Sequence, residues 1–355
     1  MRVLIIGMGL SGNMFLEAFQ SISKLYDEEV DIAYTARNKR DVTVPYYQSI
    51  PISLEEFEPD IVVVAVNDEN HGDVLSQLEG FKGFVICEKP FVDPEFNLDS
   101  AKTILKDVSG FCLNMVARYS EAASLLKAYV EDHQLSLVRA NFLWGKNRIN
   151  DYRPTTGVIS EVIHPLDLVQ WINFGSKLNI KQIHGVKSDF SISGNDIPDS
   201  ISVLGDVNGA VITGYSSFVN LFRRRELDFV FLDKDHNLIF AEISFDTPNW
   251  YEDSLLIWRE AEEQREVLVK FNSLDQEFDG DRKIERISKV VKEVSDFVIL
   301  GREPKYKFPD LKEAISLQRL LNQINASKDQ FDSVQYNRIE KRLLLSEQSG
   351  FERLG

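Results

Sequence analysis

The chain opens Met1-Arg-Val-Leu-Ile-Ile-Gly7-Met-Gly9-Leu-Ser-Gly12, an apolar run from Val3 to Ile6 that leads straight into three glycines spaced G-x-G-x-x-G. From Asn13 onward Phe15, Leu16, Phe19 and Ile22 recur at helical spacing. A strand, a glycine turn and a helix, in that order, form the device that takes a dinucleotide pyrophosphate. Gly7 allows the tight turn, Gly9 lets the phosphates approach the backbone, and Gly12 lets the helix close on the strand. The free N–H groups at the helix start then meet the phosphate charge. Met8, Leu10 and Ser11 lie between these glycines and are expected to line the same site.

The texture of the chain extends this reading. Up to about residue 118, continuous apolar runs at Val30–Thr35, Ile61–Val66, Phe84–Cys87 and Phe111–Val116 alternate with helical patterns at 11–25, 70–79 and 96–107. Continuous rather than alternating apolar strands suit a parallel sheet buried on both faces, so a doubly wound α/β domain is expected over 1–118. A helix at 120–132 follows, and then the pattern changes. Val138–Trp144, Ile180–Val186, Ile201–Gly205, Ala210–Tyr215, Leu227–Leu232, Asn237–Ile243 and Glu266–Phe271 read as mostly antiparallel strands. Asn208-Gly209 signals a hairpin between two of them. A long helix near 157–174 and two more at 282–299 and 309–323 complete an α+β domain with an open sheet over 119–325. Residues 326–355 form a C-terminal arm or tail.

Composition excludes several classes of function. The 355 residues carry a net charge of −16, against the basic surface that nucleic acid or an anionic membrane requires as a partner. No apolar run approaches the ~20 residues of a membrane helix. Cys87 and Cys112 sit in strand-like runs and read as buried packing residues in a reducing compartment. Because the N-terminus is itself the first strand, no cleaved leader is expected, and the location expected is cytoplasmic. No metal site is expected.

Two constellations carry chemistry. Glu88-Lys89-Pro90 ends the strand Phe84–Cys87, and ligands of doubly wound sheets bind beyond the carboxyl ends of the strands. Lys89 there can donate to a substrate oxygen or exchange a proton. The second lies on the long helix, where Glu161, His164 and Asp167 share a face at i, i+3 and i+6 while nearly every other position is apolar. Burying three ionisable groups is costly without a purpose. His164 is the one side chain here of a type whose unperturbed pKa lies near neutrality, and Asp167 can fix its tautomer. Pro165 must sit in the first helical turn or kink the helix, which leaves the alignment of Glu161 less secure than that of the His164–Asp167 pair.

These residues together resemble the glucose–fructose oxidoreductase/inositol dehydrogenase (Gfo/Idh/MocA) family over roughly residues 1–325. The resemblance rests on the glycine fingerprint, Ala65-Val66-Asn67 with His71, Glu88-Lys89-Pro90, Arg118-Tyr119, and His164-x-x-Asp167. It implies a Rossmann domain followed by an α/β domain whose open sheet joins subunits into a homodimer or homotetramer. It also implies that Lys89 and His164 contact the reacting hydroxyl or carbonyl with Asp167 beside them. Asn67 and His71 would lie along the nicotinamide ribose side, and the Lys89–Pro90 bond would be cis. Many members carry an Asp four residues before the histidine, followed by a Gly; this sequence has Ser160 and Val162 instead, with Glu161 as the candidate substitute.

NAD-specific sites place an acid at the end of the second strand to bind the ribose 2′-OH. Here the strand runs into Ala36-Arg37-Asn38-Lys39-Arg40, with no acid and three cations. A 2′-phosphate suits this loop, with Arg37 as its planar partner, so NADP(H) is expected over NAD(H). Lys146, Arg148 and Arg153, between the first strand of the second domain and the long helix, hint at an anionic or polyhydroxylated small-molecule substrate. Arg118, Glu161, Lys146 and Arg153 are the candidate substrate contacts. Trp144 reads as core, and Arg223-Arg224-Arg225 as a solvated hairpin end. The leading expectation is an oxidoreductase acting on a secondary alcohol or ketone of a sugar, sugar acid or nucleotide sugar. The alternatives are a non-catalytic NADP-binding regulator of the same fold and a reductase of an imine or unsaturated ring.

Overall fold

The computed structural model describes residues 1–24, 30–149, 155–191, 193–247, 249–261, 264–276 and 281–336. It divides into two compact units, Met1–Tyr119 with Phe278–Arg319, and Ser120–Glu277 with Leu320–Gly355.

In the first unit, β1 (Arg2–Ile6), β2 (Asp31–Thr35), β3 (Tyr46–Tyr47), β4 (Ile61–Val64), β5 (Phe84–Cys87) and β6 (Gly110–Leu113) form one sheet in the order β3-β2-β1-β4-β5-β6. Every neighbouring pair is parallel. The apolar runs at Val3–Ile6, Ile61–Val64 and Phe84–Cys87 are buried throughout, as two-sided coverage of a parallel sheet demands. The strand order reverses between β1 and β4, the position at which such sheets open a crevice at their carboxyl ends. Helices α1 (Leu10–Ser23), α2 (Ile50–Phe57), α3 (His71–Ser76) and α4 (Leu98–Ile104) connect the strands. Ser49 caps α2 by accepting from the Ile52 amide.

Helix α5 (Glu121–Asp132) begins the second unit. Its sheet comprises β7 (Ser136–Asn147), β8 (Leu178–Ser188), β9 (Ile197–Val207), β10 (Ala210–Ser217), β11 (Val219–Leu232), β12 (Leu238–Ser244), β13 (Ser254–Ala261), β14 (Gln264–Asn272) and β15 (Asp332–Val334). They are ordered β14-β13-β12-β11-β7-β10-β9-β8-β15 and are antiparallel except at β7–β10 and β8–β15. The β9–β10 hairpin turns at Asn208 and Gly209, both at positive φ (51° and 89°), as the Asn-Gly dipeptide announced. Helix α6 (Ile159–Ile172) is buried at every one of its 14 positions. Pro165 lies inside it, beyond the first turn, so the Glu161 carbonyl lacks the amide that would ordinarily close that turn.

Two helices remain, α7 (Glu285–Leu300) and α8 (Leu311–Ala326). The sequence pattern grouped 282–319 with the second domain, but this segment packs in the first unit. Ile287, Val290, Val291, Val294 and Phe308 share one core with Phe15, Phe19 and Ile22 of α1. The chain has to return because α1 carries an apolar stripe that needs cover. Of the C-terminal arm, the described part through Tyr336 is packed: β15 adds an edge strand to β8, and the Tyr336 amide donates to Asp189 Oδ1 at 2.6 Å. Cys87 and Cys112 are buried free thiols, and burial pushes Cys112 up to about 12 and Cys87 well above the usual thiol range, consistent with packing residues.

Truncation of Ile287 to Ala should cost about 2–5 kcal/mol, the usual range for a core Ile. Urea unfolding measures the loss, and amide exchange of β1 should accelerate with it. Faster exchange confined to β8–β10 would contradict the assignment of α7 to the first core.

Candidate functional site

The glycine turn is built for an anion. Gly7 has φ +98°, and a Cβ there would lie 2.6 Å from the Ala65 carbonyl oxygen; at Gly12 it would lie 2.0 Å from the Gly7 oxygen. Gly9 has open space where its Cβ would project, which leaves the backbone approachable. Helix α1 starts with no capping side chain and no acid in its first turn, so its leading N–H groups are left for an external acceptor. The Gly7 amide donates to the Thr35 carbonyl at 2.9 Å, which ties the turn to the end of β2. Met8 is buried, while Leu10 is exposed and Ser11 part-buried. These residues fit a dinucleotide.

Glu88 joins three elements of this region. Its Oε1 accepts from Ser11 Oγ at 2.5 Å and from Asn114 Nδ2 at 2.7 Å, and its Oε2 accepts from the Lys89 amide at 3.2 Å. One carboxylate therefore fixes the start of α1, the end of β6 and the backbone of Lys89. Lys89 is half-buried at the carboxyl end of β5, and its bond to Pro90 is cis. His71 is fully buried; with the proton assigned to Nδ1, it donates to the Pro90 carbonyl at 2.6 Å, while Nε2 sits 3.2 Å from the Val66 carbonyl oxygen. Both ring nitrogens thus face backbone, and the imidazole braces the Lys89–Pro90 turn. Asn67 is exposed just past β4.

At the end of β2, Ala36 is half-buried and Arg37 exposed, with Arg37 Nη2 donating to Asn70 Oδ1 at 3.2 Å. The loop behind them is held by two tyrosines. Tyr34 Oη accepts from the Arg40 amide at 2.7 Å, and Tyr46 Oη donates to the Ala36 carbonyl at 3.2 Å. Arg118, expected beside the substrate, is buried, and its Nη2 pairs with Glu313 Oε2 at 2.9 Å. Both residues lie in the first unit, so the pair joins the chain just after β6 to the start of α8.

In the second unit, α6 brings Glu161, His164 and Asp167 to one buried face. Glu161 accepts from Trp144 Nε1 at 3.2 Å and from Arg225 Nη2 at 3.0 Å, both on Oε1, and from Lys146 Nζ at 3.0 Å on Oε2. These contacts tie the Glu161 carboxylate to β7 and β11. Lys146, a candidate substrate contact, pairs through its ammonium with Glu161. Trp144 is core, and its ring stacks on His164 with centroids 5.7 Å apart and planes 25° from parallel. Arg153 falls outside the described residues.

The arginine run departs from expectation. It is not a solvated hairpin end: it lies within β11, and only Arg224 is exposed, pairing with Glu226 at 2.6 Å. Arg225 alternates with Leu227, Phe229 and Phe231 on the buried face, and its Nη1 donates to Asp246 Oδ2. Arg223 donates to the Asp246 carbonyl at 2.8 Å and lies 4.0 Å over the exposed Trp250 ring. The period-2 pattern of Leu227–Phe231, extended back by one step, would have placed Arg225 inward. Asp246 carried no such signal.

Residues 1–109 match the family described as oxidoreductase family, NAD-binding Rossmann fold (GFO_IDH_MocA). The N-terminal domain belongs to the Gfo/Idh/MocA oxidoreductases. Among solved structures, UDP-N-acetylglucosamine 3-dehydrogenase from Acidithiobacillus ferrooxidans is 15% identical, with a TM-score of 0.68 over 92% of this chain and 97% of that one. Levoglucosan dehydrogenase in complex with NADH is 12% identical, with a TM-score of 0.72 over 93% and 97%. The transcriptional regulator Gal80p from Kluyveromyces lactis is 13% identical, with a TM-score of 0.69 over 93% and 89%. At such identities the likeness is one of fold, and it extends well past the Gfo/Idh/MocA domain. No curated protein matches by sequence. Among the described residues, no helix is long and apolar enough to cross a membrane.

Near the start of β9, Asp199 is fully buried. Burial pushes its carboxyl above the usual carboxylate range, tempered by the hydroxyls of Ser188 and Ser200. A carboxyl whose folded pKa is raised lowers stability as pH climbs from the unfolded value through the folded one. Asp199→Asn is therefore expected to raise Tm at neutral pH, with the gain vanishing below the ordinary carboxylate range. An equal gain at both pH values would contradict this.

Proposed function

We propose that this chain is an oxidoreductase that moves hydride between NADP(H) and a secondary alcohol or ketone carbon of a sugar-like substrate. The observation that carries this reading is the burial of α6 with Glu161, His164 and Asp167 upon it, an arrangement expensive to maintain for structure alone. In the proposed reaction Lys89 and His164 hold and pass the proton at the substrate oxygen. Asp167, one helical turn on, orients the imidazole. Gly7, Gly9, Gly12 and the start of α1 hold the pyrophosphate, and Glu88 keeps Lys89 in place. The nicotinamide, when bound, supplies or accepts the hydride.

Charge around α6 favours an anionic substrate, a sugar acid or nucleotide sugar. Lys146 and Arg225 pair with the Glu161 carboxylate, Arg225 also pairs with the Asp246 carboxylate, and Arg223 donates to the Asp246 carbonyl. Lys146 and Arg148 both approach the Phe218 ring, at 4.8 and 4.9 Å. A cluster of cations in a chain of net charge −16 suits an anion. The open sheet of the second unit is the proposed surface for a homodimer or homotetramer.

The cofactor preference rests on Arg37 and the absence of an acid from Ala36 to Arg40. Arg37→Ala should weaken NADPH binding by roughly 10- to 100-fold, the loss of one charge-assisted contact of about 1.5–3 kcal/mol, and leave NADH binding unchanged. Fluorescence titration of both cofactors checks this, and tighter NADH than NADPH binding by the wild type ends the preference. In a panel of sugars, sugar acids and nucleotide sugars followed at the nicotinamide absorbance band, Lys89→Ala should abolish turnover while NADPH binding persists. Undiminished turnover in that variant would overturn the assignment. The likeness to Gal80p supports one other reading, a regulator, for which the wild type would bind NADPH and oxidise or reduce no panel member.

A further inference from the structure

We propose that Arg225 is a positioning residue for His164, acting through the Trp144 indole; the functional weight of this rests on His164 being a proton-transfer group. The geometry gives a continuous linkage. Arg225 Nη1 and Nη2 are held by Asp246 and Glu161, which are 1% and 5% exposed. A planar guanidinium engaged from two sides by buried carboxylates has little freedom to turn. Its Cζ lies 5.2 Å from the centroid of the Trp144 ring, within cation–π range. The indole N–H donates to Glu161 Oε1, the same oxygen that Arg225 engages. The indole is therefore fixed by its edge and by its face. His164 stacks on this ring, so its plane is set by a side chain that Arg225 and Glu161 hold still.

The chain supplies these parts from three places that must coincide. Trp144 and Arg225 are register partners on β7 and β11, whereas Glu161 and His164 lie within one turn of α6. Pro165 leaves the Glu161 carbonyl without its usual helical donor in that same turn, so backbone bonding alone holds this part of the helix less firmly than an ordinary turn. The side-chain linkage compensates there. On these grounds Arg225 sets the orientation of the His164 imidazole through the indole between them.

Side-chain NMR of the histidines tests this without a substrate. The chain has five histidines, and the His164 ring resonances are those that vanish in His164→Asn. Arg225→Gln and Trp144→Phe, the latter keeping a ring but losing the N–H, should each displace the His164 resonances. The other four should stay in place, and the exposed neighbour variant Arg224→Gln should displace none. If Arg225→Gln lowers Tm yet leaves the His164 resonances where they were, Arg225 is merely structural and the proposal fails. Should Arg225→Gln not fold, Asp246→Asn loosens the guanidinium from its other side; displaced His164 resonances support the link and unmoved ones overturn it. Loss of turnover in His164→Asn tests the catalytic reading separately, so either claim can fail without the other.

Discussion

The carboxylate of Glu161 is the constraint on which the second unit depends. A helix buried on every side leaves no water to solvate an ionised group, so α6 can exist only if its charges find partners within the protein. Those of Glu161 include Trp144, Lys146 and Arg225, drawn from both β7 and β11. Removing one partner of such a buried pair leaves a charge uncompensated, typically at about 3–5 kcal/mol. The same contacts fix the indole against which His164 packs. Stability and the orientation of the candidate proton-transfer group are therefore set by one oxygen pair.

Glu88 has a parallel role in the first unit. It gathers Ser11, Asn114 and the Lys89 amide, binding the phosphate-facing turn to the strand end that presents the lysine. Each candidate proton-transfer residue thus has a carboxylate beside it in sequence or one turn away that bonds to other elements of its unit. This division of labour suits a hydride reaction, in which placement of the reacting groups supplies much of the rate.

The elements most legible in the sequence were those set by local pattern. The glycine fingerprint, the parallel strands, the Asn208-Gly209 turn and the buried helix with His164 and Asp167 all follow from periodicity and turn chemistry. What escaped was decided by distant partners. Helix α7 has an ordinary amphipathic pattern, and nothing local says that its stripe covers α1. Strand β13 and the short elements β3 and α2 went unread between stronger signals. The contacts of His71 with the Pro90 and Val66 carbonyls and of Arg118 with Glu313 carried no local signal. Arg225 was masked by its exposed neighbour Arg224, because a charge run reads as solvated unless the alternation of the following strand is carried back through it. The contacts of Glu161 with Trp144, Lys146 and Arg225 come from strands far away in the chain and were not legible in the sequence.

The most direct test of the central claim is transfer of label from NADPH deuterated at the reactive C4 position to a keto sugar acid, read by mass spectrometry of the product. The wild type is expected to deliver deuterium to the new carbinol carbon, whereas Lys89→Ala and His164→Asn bind the cofactor and deliver none. Label transferred as efficiently by either variant, or NADPH bound by the wild type with no transfer to any sugar-derived carbonyl, would contradict it.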